Sequence, residues 1–396
     1  MKIPEPTPAD PKRLLIVLTS LCAEGTPVLA LDLCRRFRGM GIEPVVLTLA
    51  AQPGDLAPEF EREGISVTAL DLPQSGRGRY VRMIAGAFGI CRNSRAQALL
   101  SMPFGWHAFL ALGARLAGVP VVAAHVGNHP NREAAGFSKF RFLVQAGRPI
   151  TNTLICCSEY VRHGVIEQFG VPAPATSVIY NGAEVAQIAR RADAARAGRN
   201  ARSATVIGMV ARFEVHKDQP TLIRAAKLLQ DRGRAIEVWL IGDGSRRAEY
   251  EALIGELGLS HDVKLLGVRR DVPELLGEID VFAFAATPDE GQGVALVEAM
   301  AAGVPIVAAD VGACREVLDQ GRLGRLVQPS EPGALAAAIS DILDSPEDAR
   351  IAVGRAREKA LRVYTIDTMA HGYARCLKLA PDDSDRRASP QHATRN

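Results

Sequence analysis

The chain has 396 residues, which is enough for two domains of ordinary size, each with its own core. Its composition, 47% hydrophobic and 23% charged, is typical of a soluble globular protein, and the net charge of +3 excludes a strong bulk attraction to nucleic acid. The N-terminus has no apolar segment of the kind found in signal peptides, and no run of about eighteen apolar residues occurs. The seven cysteines, an odd number without a CxxC pair, indicate buried reduced thiols. We therefore expect a cytoplasmic protein.

Short, continuously apolar segments alternate with longer helical patterns along most of the chain. Such segments are typical of parallel sheets that helices cover on both faces. The predicted strands are 14–20, 43–50, 65–72, 98–103, 119–126, 154–158, 176–182, 205–212, 236–244, 263–268, 280–286, 305–310 and 324–329. The alternation predicts an α/β protein with two doubly wound, Rossmann-like domains and an interdomain cleft. Ligands of such sheets bind outside the carboxyl ends of the strands.

The composition changes after Gly182, where an Ala- and Arg-rich segment lacks a sustained apolar face. We place the domain junction in that segment. The predicted parts are a flexible N-terminus (1–12), an N-terminal Rossmann-like domain (13–185), a linker (186–202), a C-terminal Rossmann-like domain (203–362), a C-terminal helix that packs back towards the N-terminal domain (363–380) and a disordered tail (381–396).

Basic residues cluster in the first half of the chain. Ten of them lie between Arg77 and Arg148, against a single acid, Glu133. This asymmetry indicates an anionic partner, either phosphate or a membrane surface, although solvated surface charge explains it equally well. Within the cluster, residues 77–93 predict an amphipathic helix that could lie on an anionic bilayer. The alternative, which the pattern favours slightly, is a core-facing helix with arginines on its wet face.

Two carboxylates occur together late in the chain. Glu290 falls in the turn after a predicted strand, and Glu298 falls in the first turns of the next helix. Gly291 and Gly293 leave room for a ligand to approach backbone N–H groups, where the helix dipole favours an anion. Carboxylates would repel that anion but would accept hydrogen bonds from sugar hydroxyls. The pattern therefore favours a ligand with both phosphates and hydroxyls; the alternative is a helix-capping glutamate plus a loop charge.

The segment that contains both glutamates resembles the retaining, nucleotide-sugar-dependent glycosyltransferases of the family-four (group 1) type, which have the GT-B fold. The resemblance rests on the pair Glu290 and Glu298, eight positions apart, in the frame EGQGVALVEAMAAGVPIVA. It implies that Glu290 contacts the transferred sugar and that Glu298 contacts the ribose of the nucleotide. It also implies donor contacts from the residues between them: Gly291, Gln292, Gly293 and Val294.

Further segments resemble the same family. GMVARFEVHKDQP is similar to the part that grips the donor diphosphate, which implies that role for Arg212 and Lys217; an ordinary pair of surface charges is the alternative. The resemblance of WLIGDGS and VKLLGVRRDV implies that Gly242 turns tightly near the nucleotide and that Gly267 and Val268 support the base.

The first half resembles the family less closely. Gly25 is the candidate for the family's first glycine-rich loop, although Glu24 stands where the family has another glycine. His125 lies at the carboxyl end of a predicted strand, where the family often has a histidine beside the sugar. A histidine within an apolar segment is equally consistent with a satisfied core residue.

The resemblance implies a retaining hexosyltransferase that moves a sugar from a nucleoside-diphosphate sugar to a glycan or polyprenyl-linked acceptor, as in polysaccharide biosynthesis. The N-terminal domain would be the acceptor side. The implied catalytic residues are Glu290, His125, Arg212 and Lys217. No metal and no cofactor are expected, because two cations can neutralise a leaving diphosphate. No nucleic-acid partner is expected, whereas peripheral contact with the inner face of an anionic membrane is a further expectation.

Two other functions remain open for the same architecture. A nucleotide-sugar epimerase would convert the donor with no acceptor, and a two-domain sugar-binding protein would have no turnover. A Rossmann dehydrogenase is disfavoured, because no GxGxxG follows the first predicted strand.

Overall fold

The computed structural model describes residues 11–23, 25–73 and 76–380. The predicted flexible N-terminus up to residue 10, Glu24 and the predicted disordered tail 381–396 lie outside the described residues. The described residues group into two compact units. The first takes its residues from Met1–His125, Ser138–Ile155 and Ala370–Asn396, and the second from Val126–Phe137 and Cys156–Met369.

The first sheet has the strand order β3-β2-β1-β4-β5-β6-β7. Its strands are β1 (Lys12–Leu18), β2 (Ile42–Thr48), β3 (Ser66–Ala69), β4 (Ala98–Ser101), β5 (Val121–Val126), β6 (Thr153–Cys156) and β7 (Thr176–Val178). The helices along this part of the chain are α1 (Gly25–Gly39), α2 (Ala57–Arg62), α3 (Gly78–Ser94), α4 (His107–Leu116), α5 (Phe137–Gly147) and α6 (Glu159–Phe169). β1 pairs in parallel with both β2 and β4, so the strand order reverses beside β1.

The second sheet has the order β10-β9-β8-β11-β12-β13, with every neighbouring pair parallel. Its strands are β8 (Thr205–Val210), β9 (Ile236–Ile241), β10 (Val263–Gly267), β11 (Val281–Phe284), β12 (Ile306–Ala309) and β13 (Arg325–Val327). The remaining helices are α7 (Val185–Ala197), α8 (Gln219–Asp231), α9 (Arg247–Glu256), α10 (Val272–Glu278), α11 (Val294–Ala302), α12 (Gly312–Val317), α13 (Pro332–Asp344), α14 (Pro346–Val363) and α15 (Ile366–Cys376).

The α/β class and the two Rossmann-like sheets are confirmed, and each predicted strand overlaps an observed one. Several predicted strands run too far at the carboxyl end. Ile179, for example, follows the end of β7, yet it is buried and donates its N–H to the carbonyl of Cys156 at 3.0 Å. Apolar segments mark burial rather than strand pairing, so they continue into the loops beyond the strands.

The segment 186–202, predicted as a linker, is mostly helical, because α7 occupies much of it. The buried residues of α7 are Val185, Ile188, Ala189 and Ala192. Arg191 on the same helix forms two hydrogen bonds of 2.6 Å with the carboxylate of Glu274 in α10. Half of the buried stripe is alanine, so its apolar face is too small to stand out in the sequence. The domain bounds drawn from this segment stay a prediction.

Residues 363–380, predicted as a C-terminal helix, contain α15. From Ala370 onward they belong to the first unit. There the hydroxyl of Tyr373 lies 2.8 Å from Nδ1 of His125, and Lys12 donates to the carbonyl of Ala380 at 3.0 Å.

The helix predicted at 77–93 is α3, and it faces the core of the first unit. Met83, Ala87 and Cys91 are buried on it, whereas Arg77 and Arg82 are exposed. This is the core-facing arrangement that the sequence pattern favoured slightly. Within the described part of the chain, no helix has the length and apolar character needed to cross a membrane.

Candidate active site

A lysine and a glutamate meet at the point where the strand order of the second sheet reverses. Lys217 lies in a short 3-10 helix, Val215–Lys217, that follows β8, and Glu290 lies in the loop that follows β11. Because β8 and β11 are parallel neighbours, these two loops leave the same edge of the sheet side by side. Nζ of Lys217 donates a hydrogen bond to Oε2 of Glu290. Such a reversal point is where open α/β sheets bind ligands.

The Lys217–Glu290 pair is largely withdrawn from water, with side chains that are 16% and 7% exposed. Nζ of Lys217 also lies 5.4 Å from the ring centroid of Phe284, the last residue of β11. Burying two charges costs several kcal/mol per ion unless good geometry and further hydrogen bonds compensate. The aromatic face and the ion pair together supply such compensation for the ammonium.

The charges around Glu290 keep its carboxyl group ionised. Burial alone would raise the pKa of Glu290, but the charge and hydrogen bond of Lys217, helped by His216 and the N–H of Gly291, hold that pKa below its usual range. Burial lowers the pKa of His216, and the neighbouring charges of Lys217 and Arg212 lower it further, although Glu290 opposes the change. The site therefore combines a carboxylate and an ammonium with a histidine that resists protonation.

Close backbone contacts hold the residues that follow Glu290. The side chain of Gln292 is buried and binds the backbone of Asn181 twice, accepting from its N–H at 2.7 Å and donating to its carbonyl at 2.9 Å. A Cβ atom on Gly291 would collide with the carbonyl oxygen of Gly127, so only glycine fits there. The side-chain amide of Gln292 therefore already uses its oxygen and its nitrogen in hydrogen bonds to the backbone.

The helix that follows this loop, α11, begins directly after Gly293 with Val294. The N–H groups at the start of a helix favour an anion. Among those of α11, the N–H of Leu296 already donates to the carbonyl of Gly293 at 2.9 Å. Glu298 lies on α11 one turn further along and is half-buried. Glu290 is thus buried in the loop, whereas Glu298 is half-buried on the helix.

The other residues predicted to bind the donor in the second unit lie on neighbouring loops. Arg212 is exposed in the loop after β8, and its carbonyl accepts a 2.7 Å hydrogen bond from Nε2 of Gln219. The N–H of Gly242, after β9, donates to the carbonyl of Gly267 at 2.9 Å. Val268 follows β10 and is 62% exposed. Each lies at or just beyond the carboxyl end of a strand.

Gly25 and His125 belong to the first unit. Gly25 is the exposed first residue of α1. His125 lies near the end of β5 and is 4% exposed, and burial lowers its pKa to about 4. It is therefore neutral at physiological pH, with Nδ1 bonded to Tyr373. A satisfied core histidine has these properties, and its role in a site stays a prediction.

Sequence reasoning missed several residues of the site. His216 is one of them: its carbonyl accepts the N–H of Thr287 at 3.0 Å, and its ring senses the charge of Glu290. Its position next to Lys217 between a strand and a helix was a usable signal. Ser158 and Tyr160 bind the loop that carries Glu290. No sequence signal points to those contacts, because more than one hundred residues separate the partners.

Comparisons with known proteins find relatives of both halves of the chain. Residues 191–359 match the family model described as Glycosyl transferases group 1, and residues 23–187 match the model for Glycosyltransferase Family 4. EpsF of Bacillus subtilis (strain 168), named as a glycosyltransferase, is 29% identical over 311 residues, which cover 76% of this chain and 79% of EpsF. The amylovoran biosynthesis glycosyltransferase AmsK of Erwinia amylovora is 32% identical over 157 residues, which cover 38% of this chain and 39% of AmsK.

Among solved structures, HepE of Anabaena in complex with UDP-glucose superposes with a TM-score of 0.81 at 23% sequence identity, covering 92% of this chain and 99% of HepE. This likeness shows that the two chains share a fold. Together, the two family models cover most of the chain. The Family 4 model matches the part that forms most of the first sheet, and the group 1 model matches the part that forms the second. The chain belongs to the group 1 glycosyltransferases and has the GT-B fold.

Proposed function

We propose that the protein transfers a sugar from a nucleoside-diphosphate sugar with retention of the anomeric configuration. The observation that carries this proposal is the buried Lys217–Glu290 pair at the reversal point of the second sheet, next to the start of α11. A cation suited to phosphate and a carboxylate suited to hydroxyls stand within hydrogen-bond reach of each other. HepE, which shares the fold, has been solved with UDP-glucose, and this supports a donor of the same class.

Lys217 can serve a diphosphate without leaving Glu290. An ammonium has three N–H donors, of which Glu290 uses one. A phosphate oxygen that accepts a second donor would be held beside the carboxylate, and the carboxylate has lone pairs left for sugar hydroxyls. The pair therefore places the phosphate end and the sugar end of the donor at adjacent positions.

We assign the remaining donor contacts from the resemblance to the family and from their positions at or beyond the carboxyl ends of strands. Arg212 adds positive charge at the diphosphate, and the first N–H groups of α11 add a favourable dipole. Glu298 binds the ribose. The other proposed donor contacts are Gly25, Gly242, Gly267, Val268, Gly291, Gln292, Gly293 and Val294. The side chain of Gln292 already binds the backbone of Asn181, so its contribution is to hold the loop in place.

The proposed chemistry needs no cofactor and no metal. The bond between the anomeric carbon and the diphosphate oxygen breaks, and its electron pair leaves with the diphosphate. Lys217 and Arg212 stabilise that growing negative charge, while Glu290 stabilises the oxocarbenium-like sugar. The acceptor oxygen bonds to the same face of the anomeric carbon and passes its proton to the leaving phosphate oxygen.

A glutamine in place of Glu290 should remove most of the turnover. A panel of nucleotide sugars is first screened by thermal shift, since a ligand of the folded state raises its melting temperature. With the donor so found, Glu290→Gln should lower kcat about 100-fold, and Lys217→Ala should lower kcat/KM by a similar factor, because each removes a charge from the transition state. Lys227→Ala, which removes a half-buried lysine of α8 that pairs with Asp231, is the matched control and should react like wild type. Wild-type turnover in Glu290→Gln would refute the proposed role.

Retention and metal independence are tested together by proton NMR of the reaction. The anomeric coupling constant of the product should match that of the donor from the first turnovers onward. Excess EDTA should leave the initial rate unchanged, because the leaving group is neutralised by side chains. An inverted product, or a rate that EDTA abolishes and magnesium restores, would contradict this mechanism.

The charge on Glu290 can be tested through stability. Its lowered pKa stabilises the folded state above the ordinary carboxyl pKa, and this contribution is lost as the pH falls through the lowered pKa. In Lys217→Met, the main group that opposes the effect of burial is gone and the pKa of Glu290 rises, so the buried carboxylate destabilises the fold near neutral pH and less so in acid. Urea unfolding should show a loss of about 3 kcal/mol relative to wild type near pH 7.5 and a smaller loss near pH 5.

The double variant Lys217→Met/Glu290→Gln is the control for that measurement. It carries no titratable group in place of the pair, so its loss of stability relative to wild type should be nearly the same at both pH values. A single variant whose loss does not change with pH would show that Glu290 is not the group responsible.

We further propose a glycan or polyprenyl-linked acceptor and peripheral contact with an anionic membrane on the inner face. The name of AmsK associates that relative with the biosynthesis of a polysaccharide, and α3 presents arginines and Val81, which is 67% exposed, to solvent. Exposed cations beside an apolar side chain favour an anionic bilayer surface.

Co-sedimentation with lipid vesicles tests the membrane contact. The protein should sediment with phosphatidylglycerol vesicles and remain in the supernatant with phosphatidylcholine vesicles, and Arg77→Gln/Arg82→Gln should reduce the bound fraction several-fold. Arg350→Gln/Arg355→Gln removes two exposed arginines from α14 as a matched control and should bind like wild type. Equal binding of both double variants, or none by wild type, would remove the membrane proposal.

A further inference from the structure

The start of α6 holds the loop that carries Glu290 on both sides of that residue. The hydroxyl of Tyr160 donates a 2.8 Å hydrogen bond to the carbonyl of Pro288, two residues before Glu290. The hydroxyl of Ser158, which is fully buried, donates a 2.6 Å hydrogen bond to the carbonyl of Gly291, one residue after Glu290. All of these residues belong to the second unit. The peptide groups that flank Glu290 are therefore tied to a single short segment of chain.

That segment is itself fixed from α12. The carboxylate of Glu316 accepts the N–H of Glu159 through one oxygen and the N–H of Tyr160 through the other, each at 2.8 Å. Ser158 is the N-cap residue of α6, and its hydroxyl oxygen accepts the N–H of Val161 at 3.1 Å. Three of the four N–H groups that a helix start leaves open are thus bound, and a carboxylate there is also favoured by the helix dipole.

The ring of Tyr160 is fixed by packing as well. It stacks on His129 with ring centroids 4.1 Å apart and planes 13° from parallel. It also lies so close to Gly312, the first residue of α12, that a Cβ there would collide with it. This contact gives a physical reason for the glycine in the segment ADVGACREVL. The Tyr160 hydroxyl consequently reaches the loop from a ring that has little freedom to turn.

We infer that Tyr160, Ser158 and Glu316 are positioning residues for the reaction. They set the backbone on either side of Glu290, and Glu316 acts one step further back by setting the start of α6. A functional carboxylate must be held to within about 0.5 Å of its productive place, and a misplacement of about 1 Å can reduce a rate roughly 100-fold. This inference rests on the proposed function for its catalytic consequence, but the holding of the loop can be measured by itself.

Hydrogen exchange measures the holding directly. Tyr160→Phe keeps the ring, the stack on His129 and the contact with Gly312, and it removes only the hydroxyl. The peptide that contains residues 287–293 should exchange its amides several-fold faster in this variant than in wild type. Tyr80→Phe, which removes a hydroxyl that accepts a hydrogen bond from the side chain of Arg79 in the first unit, is the matched control and should leave that peptide unchanged. Wild-type exchange in Tyr160→Phe would overturn the inference.

Kinetics separate positioning from a merely structural role. With UDP-glucose as the probe donor, Tyr160→Phe and Ser158→Ala should each lower kcat about tenfold. The Kd of UDP, which has no sugar for Glu290 to bind, should stay within about twofold of wild type. Ser340→Ala removes a buried hydroxyl that has no hydrogen-bond partner among the described residues, and it controls for the loss of a hydroxyl as such. A loss of UDP binding in parallel with kcat would indicate general damage to the fold and overturn the inference.

The outcome for Glu290→Gln distinguishes the two proposals. If Glu290→Gln is inactive while Tyr160→Phe reacts like wild type, the positioning inference fails and the proposed function stands. If Glu290→Gln is itself active, the proposed function fails, and the exchange of residues 287–293 alone decides whether Tyr160 holds the loop.

Discussion

The buried ion pair between Lys217 and Glu290 constrains how the second unit is built. Two charges can leave water together only if their geometry is good, since the cost of desolvating each is several kcal/mol. The partners come from loops after different strands, so their geometry depends on how β8 and β11 pair. In that pairing Val281 stands opposite Ile207 and Phe282 stands opposite Gly208. A shift of one residue would move the start of each loop by about 3.3 Å, which is enough to break the pair.

The loop that carries Glu290 faces a second constraint, because its peptide groups need hydrogen-bond partners where they leave water. The N–H of Thr287 binds the carbonyl of His216, and the carbonyl of Asp289 accepts the N–H of His129 at 3.3 Å. Tyr160 and Ser158 bind the carbonyls on either side of Glu290. The hydrogen bonds that satisfy the backbone of this loop therefore also hold the chain on either side of Glu290. A single set of hydrogen bonds therefore both satisfies the backbone of the loop and holds Glu290 in place.

Much of the fold could be predicted from the sequence, because continuously apolar segments report burial between helices and the inner strands, such as β4, β5, β11 and β12, are buried along their whole length. The alanine-rich α7 escaped prediction for the same reason, since Ala189 and Ala192 contribute too little apolar surface to reveal a buried face. In the site, Glu290 and Lys217 could be found because each follows a predicted strand and because the segments around them resemble the family. Their mutual contact could not be found, because it depends on the order of strands across the sheet. The supporting contacts of Ser158 and Tyr160 were still harder to predict. A helix-capping serine can be recognised from its neighbours in the sequence, but the carbonyl that it binds, 133 residues away, cannot.

Stability alone does not explain why the pair is there. Replacing a buried ion pair by apolar side chains of similar volume is often neutral or stabilising, so a fold under no other demand has little reason to keep one. Here the pair is kept, its ammonium rests on the ring of Phe284, and the backbone around its carboxylate is bound from three directions by His216, Tyr160 and Ser158. Those features hold two opposite charges in fixed positions at the edge of a sheet where ligands bind. The proposed donor, which carries both phosphates and a hydroxylated ring, could contact both charges at once.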